Sequence, residues 1–231
     1  MSSTNRKNAA ERNASDFYIT PLPCIADFLK AFRDDYDTLK DETGLFDSDV
    51  VNPWGDAQIT VLDPCAGGDA EYPMSYPEAI RLHSGWNYND IDTCDIRDDS
   101  RAKFKGDYLT RHECEGCYDV AITNPPFNIA LDVIKKTLAD VHSGGWVIML
   151  LRLNFFGSQE RSEWFKDNMP LATYVHSKRI SFVPEDRKKR INAEAKASGI
   201  AAKGIGSDSV EYMHAVWNVG CHPQFTHLRI I

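Results

Sequence analysis

Long hydrophobic runs are missing from this chain. The longest, "WVIMLLRLNFF", is broken by Arg152 and Asn154 and falls short of the roughly 18 apolar residues that a membrane span requires. The opening "MSSTNRKNAAERNAS" lacks the apolar centre of a secretory signal, so no membrane is expected as a partner and the cytoplasm is the expected location. Internal repeats and low-complexity tracts are absent too, which excludes solenoids and fibrous architectures. The six cysteines, at 24, 65, 94, 114, 117 and 221, form no disulfide-like framework, and reduced thiols are the expectation. In "HECEGC", His112, Cys114 and Cys117 could supply three zinc ligands, with Cys221 or His222 as a distant fourth. A single CxxC with no partner pair does not specify a metal site, and no metal is expected.

Cation excess is lacking as well: the net charge is −8, which argues against a surface that embraces nucleic acid everywhere. The charge is uneven along the chain. Acidic residues crowd "FRDDYDTLKDETGLFDSD" and "NDIDTCDIRDD", whereas "RKKRINAEAKASGIAAKG" (187–204) carries six Lys or Arg against one Glu, a local composition suited to phosphate contacts or to a solvated helix face.

What is present is an alternation of strand and helix patterns. After a polar arm over residues 1–15, expected to be flexible, "PLPCIADFLKAFRDDY" places Ile25, Phe28, Leu29 and Phe32 at helical spacing behind two prolines. Residues 34–56 read as an acidic connector. Then come "QITVLD", "YPEAIRLH", "DIDTCDI", "YDVAIT", "IALDVIKKTLADVH" and "GWVIMLLRL", a succession that predicts an α/β fold with a mostly parallel central sheet covered on both faces. "RISFV" and "VEYMHAVWNVG" read as strands joined by the basic segment without a clean helix, which predicts an antiparallel C-terminal edge. The organisation expected is one domain over 16–231, with 184–208 as a basic, partly glycine-rich insertion.

In an open parallel sheet the ligand lies beyond the carboxyl ends of the strands. "DPCAGGD" follows the first strand with Asp63, Cys65, Gly67 and Gly68; Asp95 and Ile96 end the next; "KGDYL" brings Asp107; and "AITNPPFNIA" brings Asn124. Phosphate-loop patterns, GxxxxGK(S/T) and GxGxxG, are absent, and carboxylates beside the glycines would repel a pyrophosphate. The ligand implied is neutral or cationic, with ribose hydroxyls and an exocyclic amine, and S-adenosylmethionine meets all three demands.

"DPCAGG", a strand-end acid, "GDYL" and "NPPF", in that order, resemble the motifs of DNA amino-methyltransferases, specifically the small adenine methyltransferases of phages and bacteria. "DFYITP" at 16–21 looks like that family's amino-terminal cofactor motif, and "KRISF" and "SDSVEYMHAVW" like its late motifs. The motif order resembles the gamma arrangement, without the large target-recognition domain usual there. The resemblance implies a Rossmann-like S-adenosylmethionine methyltransferase fold and methylation of the 6-amino group of adenine in DNA. It implies that Tyr18 and Thr20 close over the methionine end of the cofactor. Asp63 and the Gly67 backbone, with Cys65 in the same turn, would hold its amino acid portion, Asp95 the ribose hydroxyls, Ile96 an adenine face and Asp107 the adenine amine. Asp69 stands where the family tends to have Gly, and is expected to cap the following helix.

The two prolines acquire a chemical reading in this frame. An exocyclic amine conjugated to a ring is a poor nucleophile until two acceptors draw its protons out of the ring plane. Asn124 offers a side-chain carbonyl and Pro125 a backbone one, while Pro125 and Pro126 contribute no N–H that would compete, and Phe127 can stack on the base. The base would be flipped out of a duplex, or taken from a single strand at lower cost. With no separate recognition domain, Arg187, Lys188, Lys189, Arg190 and Lys203 are the candidate DNA contacts. An RNA base or a protein glutamine is the alternative target, and a cofactor- or DNA-binding protein without catalysis is a further reading. Neither monomer nor dimer is specified.

Overall fold

The structure, a computed structural model, describes residues 18–46, 48–112, 115–197 and 210–231. The arm at 1–15, Cys114, and the glycine-rich stretch 199–209 with Lys203 lie outside them. An eight-stranded sheet organises the chain, in the order β3-β2-β1-β4-β5-β7-β6-β8. Its strands are β1 Ile59–Asp63, β2 Tyr88–Asp95, β3 Phe104–Lys105, β4 Tyr118–Thr123, β5 Val141–Arg152, β6 Ala172–Val175, β7 Tyr212–Asn218 and β8 His227–Ile230. β1 pairs in parallel with β2 and β4, β2 with β3, β4 with β5, and β6 with β8; β7 is antiparallel to both β5 and β6. The mostly parallel sheet expected from the alternation is present, and its antiparallel relation falls in the C-terminal part of the chain.

Burial on both faces explains why β5 reads as an unbroken apolar run. Trp146, Ile148 and Leu150 join one core cluster with α1 (Leu22–Glu42), while Val147, Met149 and Leu151 join the other with α3 (Ala130–Asp140) and with Phe165 of α4 (Gln159–Asp167). α1 lays Ile25, Phe28, Leu29, Phe32, Tyr36 and Leu39 against the sheet, each such side chain contributing about 1.5–3 kcal/mol of burial. Pro21 precedes its first residue, where a missing N–H costs nothing. The helix continues to Glu42, into the stretch read as a connector, because its buried face recurs through Tyr36 and Leu39. α2 (Ser75–Ala79) runs on into a π turn at Ile80–Ser84 that closes at Gly85, φ 66°.

Two sequence expectations for the C-terminal third are corrected. "RISFV" forms no strand: Ile180 and Phe182 are buried but the segment pairs with nothing in the sheet, and β7's partner is the short β6 upstream. The basic segment begins as a regular helix, α5 (Glu185–Ala197). Its Ala, Lys, Arg and Glu content favours the helix by propensity, although it lacks the apolar stripe that a periodicity search requires.

Candidate active site

The strand ends named from the sequence meet at the carboxyl end of the sheet, on the adjacent strands β2, β1 and β4. β1 ends in Asp63, fully buried, whose Oδ1 accepts from Thr123 Oγ1 at the end of β4 (2.6 Å) and from the backbone N–H of Cys65 (3.2 Å). Its Oδ2 is buried without a hydrogen-bond partner. Burial raises the Asp63 pKa to about 7, against the lowering effect of the Thr123 and Cys65 hydrogen bonds, and Asp95 adds a smaller raising effect. The Cys65 thiol is raised as well, by burial first and then by the charges of Asp63 and Asp95.

The glycine turn after β1 is fixed by the last residues of β2 and by those that follow it. Ala66 N–H donates to the Cys94 carbonyl (2.8 Å) and Gly67 N–H to Asp95 Oδ2 (2.8 Å). Ser100 Oγ donates to the Gly67 carbonyl (2.6 Å) and Arg97 Nη2 to that of Gly68 (2.6 Å). Arg97 also donates to Asp95 Oδ1 through its backbone N–H (2.9 Å) and Nε (3.2 Å). Gly68, at φ 72°, leaves no room for a side chain, since a Cβ there would lie 2.8 Å from Met74 Cγ and 3.0 Å from its backbone nitrogen. Asp69 caps no helix. Its Oδ1 accepts from the N–H groups of Glu71 and Tyr72 and closes a local turn (2.8 and 2.7 Å), and α2 starts only after Met74.

Beyond β2, Ile96 stands 69% exposed, an apolar surface beside the buried Asp95. Gly106 N–H donates to the Asp95 carbonyl (2.9 Å), which brings Asp107 next to this strand end. Asp107 is exposed and its Oδ1 caps a short 3-10 turn through Leu109 N–H (2.9 Å).

At the end of β4, Asn124 is half-buried and its Nδ2 donates to the buried Thr20 Oγ1 (3.1 Å). Its Oδ1 and the Pro125 carbonyl have no protein donor among the described residues, while the Pro126 carbonyl takes the Ile129 N–H (3.1 Å). Phe127 sits in an aromatic group: Tyr18 at 6.1 Å, Tyr212 at 5.8 Å, and the Arg152 guanidinium 4.4 Å over its ring. Phe182 of "KRISF" packs edge-on to Tyr18 (5.3 Å) and Tyr212 (5.0 Å). The structure therefore joins Tyr18, Thr20, Asn124 and Phe127, and separately Asp63, Gly67 and Asp95, with the adjacent Thr123 and Asn124 linking the two groups.

A cavity of about 650 Å³ lined in part by Thr20 opens between the start of α1, residues 72–75 and residues 176–186. α5 borders it with Glu185 and Asp186. Asp186 accepts from the Tyr72 hydroxyl (2.8 Å) and Arg190 pairs with Glu71 (2.6 Å), so α5 is tied to the loop that leaves the glycine turn. Lys188 pairs with Glu185 (2.5 Å), whereas Arg187 and Lys189 have no carboxylate partner among the described residues.

Thr123, Arg97, Ser100 and Arg152 were not singled out from the sequence. Thr123 stood beside Asn124, and Arg152 announced itself as the charge that breaks the longest apolar run. The pinning roles of Arg97 and Ser100 left no local pattern.

No family model matches the chain, and no curated protein sequence matches it. Solved structures do. The methyltransferase subunit of a type I restriction-modification system from Streptococcus thermophilus superposes with a TM-score of 0.52 at 10% identity, over 94% of this chain and 48% of that one. The fold is that of the Rossmann-like S-adenosylmethionine methyltransferases. A Listeria monocytogenes protein described as a class I S-adenosylmethionine-dependent methyltransferase gives 0.49 at 12% identity, over 92% of this chain and 65% of that one. Geranyl diphosphate C-methyltransferase from Streptomyces coelicolor gives 0.40 at 13% identity, over 84% and 82%. The chain thus spans about half the length of the Streptococcus subunit and just under two thirds of the Listeria protein. Among the described residues no helix is long and apolar enough to cross a membrane.

Proposed function

We propose that this methyltransferase-fold chain uses S-adenosylmethionine to methylate the exocyclic 6-amino group of adenine in DNA. The observation that carries the reading is the end of β4. Thr20 takes one donor of the Asn124 amide (3.1 Å), which leaves Asn124 Oδ1 and the Pro125 carbonyl as two acceptors with no protein donor among the described residues.

The residues fit the cofactor. Asp63 Oδ2 is a buried acceptor without a donor, and a buried polar atom left so is costly unless a ligand donor meets it. When bound, S-adenosylmethionine supplies an electrophilic methyl group on a sulfonium. Asp63 would take its amino group, and Ile96 with Asp107 its adenine. Asp95 already accepts from Gly67 and Arg97, which uses about three of a carboxylate's roughly four lone-pair positions and leaves one for a ribose hydroxyl. Gly67 has its N–H and carbonyl engaged by Asp95 and Ser100. Its part is therefore close approach of the backbone, without a direct hydrogen bond to the ligand.

On the substrate side, Asn124 Oδ1 and the Pro125 carbonyl would each accept one amine proton and hold the nitrogen lone pair away from the ring system. Phe127, backed by Arg152, offers a face for stacking. No strong general base is required, because the amine proton becomes acidic only once the nitrogen carries positive charge. Alignment of this kind is worth up to about 7–11 kcal/mol of barrier in favourable systems.

The test offers labelled S-adenosylmethionine with duplex DNA, single-stranded DNA, RNA and protein. Label in 6-methyladenine from DNA is expected, and label confined to RNA or to protein glutamine would replace this reading. Asn124→Ala should reduce methyl transfer by at least about 100-fold, the scale of a lost positioned donor or acceptor, with cofactor binding by calorimetry unchanged.

A further inference from the structure

Three ligand-type side chains outside the proposed machinery converge under the 650 Å³ cavity. They are Cys24 near the start of α1, His176 just after β6 and His214 in β7. Cys24 Sγ lies 3.4 Å from His176 Nε2, and that same nitrogen lies 2.8 Å from His214 Nδ1. The set is more than hydrogen bonding can use: Nε2 has one proton or one lone pair, and two neighbours compete for it. In a tetrahedral site with bonds of about 2.0–2.3 Å, the donor atoms stand about 3.3–3.6 Å apart; the Cys24–His176 separation matches, and the two histidine nitrogens, at 2.8 Å, would part by about 0.5 Å to admit a cation. We propose that Cys24, His176 and His214 bind a divalent cation of the zinc class, which staples α1 to the C-terminal strands.

The surroundings suit a metal centre. His214 Nε2 lies 2.9 Å from the buried Tyr76 hydroxyl. With that nitrogen protonated and donating to Tyr76, Nδ1 keeps its lone pair for a metal, the usual outer-sphere arrangement for a ligating histidine. Phe28 stacks on the His214 ring at 4.2 Å and fixes its plane. Burial lowers the pKa of His176 to about 4 and that of His214 well below the ordinary value, so both imidazoles are neutral ligands at neutral pH. Burial raises the Cys24 thiol, with the charge of Asp27 adding to it, so a cation bound there would have to displace the thiol proton. Asp27 stands in the cavity wall with Cys24 and His176 but outside the three-ligand cluster, so a water entering from the cavity would complete the coordination. Sγ also lies 3.7 Å from His176 Nδ1, so the sulfur sits beside the ring, and shared coordination would require it to move onto the Nε2 axis.

Chelator-treated full-length protein titrated with Co²⁺ provides the test. The expected result is one Co²⁺ per chain, with a near-ultraviolet thiolate-to-cobalt charge-transfer band and a raised Tm. Cys24→Ser should abolish the band, and Cys117→Ser, in the other Cys/His stretch, should keep it. Tyr76→Phe should weaken Co²⁺ binding by about 10–100-fold, the usual cost of an outer-sphere change. Folded wild-type protein that shows no band, or a band that survives Cys24→Ser, would overturn the site and leave a hydrogen-bonded cluster. Should Cys24→Ser fail to fold, the wild-type titration and the Tyr76→Phe affinity decide, and unchanged Co²⁺ affinity in Tyr76→Phe would count against the proposal.

Discussion

At the scale of single residues, Asp63 ties stability and cofactor affinity to pH in opposite senses. An unfolded Asp loses its proton near about pH 3.9, whereas the buried Asp63 holds its proton up to about 7. Between those values the folded chain binds more protons than the unfolded one. The group's contribution is therefore fully present below the unfolded pKa and is lost as pH rises through the folded one. Asp63→Asn removes this dependence, so the Tm of the variant relative to wild type should climb between about pH 4 and about pH 7 and level off above. A cationic amino group at Oδ2 favours the ionised carboxylate, so S-adenosylmethionine affinity of the wild type should rise over the same range while that of Asp63→Asn stays flat. Calorimetric titration and differential scanning calorimetry at stepped pH check both, and a Tm difference that ignores pH would contradict the assignment. Asp63, Asp95 and Asn124 could be found in the sequence because each closes an apolar strand. The Asn124–Thr20 contact could not, because it joins residues 104 positions apart.

At the scale of elements, α5 divides four of the five cations that were grouped on the sequence, Lys203 lying outside the described residues. Lys188 and Arg190 are engaged with Glu185 and Glu71, while Arg187 and Lys189 face solvent without a carboxylate partner among the described residues. An engaged cation must give up its partner before it neutralises a phosphate, so counterion release should come mainly from Arg187 and Lys189. Replacing these two by Ala is expected to weaken DNA binding uniformly across sequences and to lower the log–log salt slope by about 2, close to 0.9 per phosphate contact. The Lys188/Arg190 pair should change the slope less. Fluorescence anisotropy at several salt concentrations separates them, and equal slopes for the two double variants would refute the division. The partition was invisible in "RKKR" because it depends on helix geometry and on the distant Glu71. The helix itself escaped a periodicity search since its charged faces are exposed. Conversely, Ile180 and Phe182 mimicked a strand because an extended segment can bury alternate residues without joining a ladder.

At the scale of the whole molecule, the two ends of the sheet carry different duties. The carboxyl ends hold the acceptors and carboxylates, while the amino end of β5 holds the packing that closes the fold. The mostly parallel sheet was legible because alternating strands and helices imply crossover connections between parallel neighbours. The insertion of β7 between β5 and β6 was not, because pairing partners of short strands are chosen by packing and not by local pattern. At the amino end, β5 bulges between Val141 and Trp146 where it leaves register with β4. Gly144 lies there at φ 85°, donates to the Val219 carbonyl (2.7 Å), and its own carbonyl accepts from Val51 N–H (3.0 Å) and Asn218 Nδ2 (2.8 Å). A Cβ at Gly144 would run into the Asp49 carbonyl and within 3.4 Å of Val50 Cα, so an alanine meets both a disfavoured φ, costing about 1–2 kcal/mol, and backbone overlap of similar or greater cost. Gly144→Ala should destabilise by about 3 kcal/mol and lower Tm by roughly 6–12 °C for a chain of this size. Since this bulge lies at the end of the sheet opposite Asp63 and Asn124, the variant should keep its methyl-transfer rate and cofactor affinity when assayed well below its Tm. A variant with unchanged Tm would show that the bulge relaxes freely, and one with native Tm and lost activity would show that the two ends are coupled.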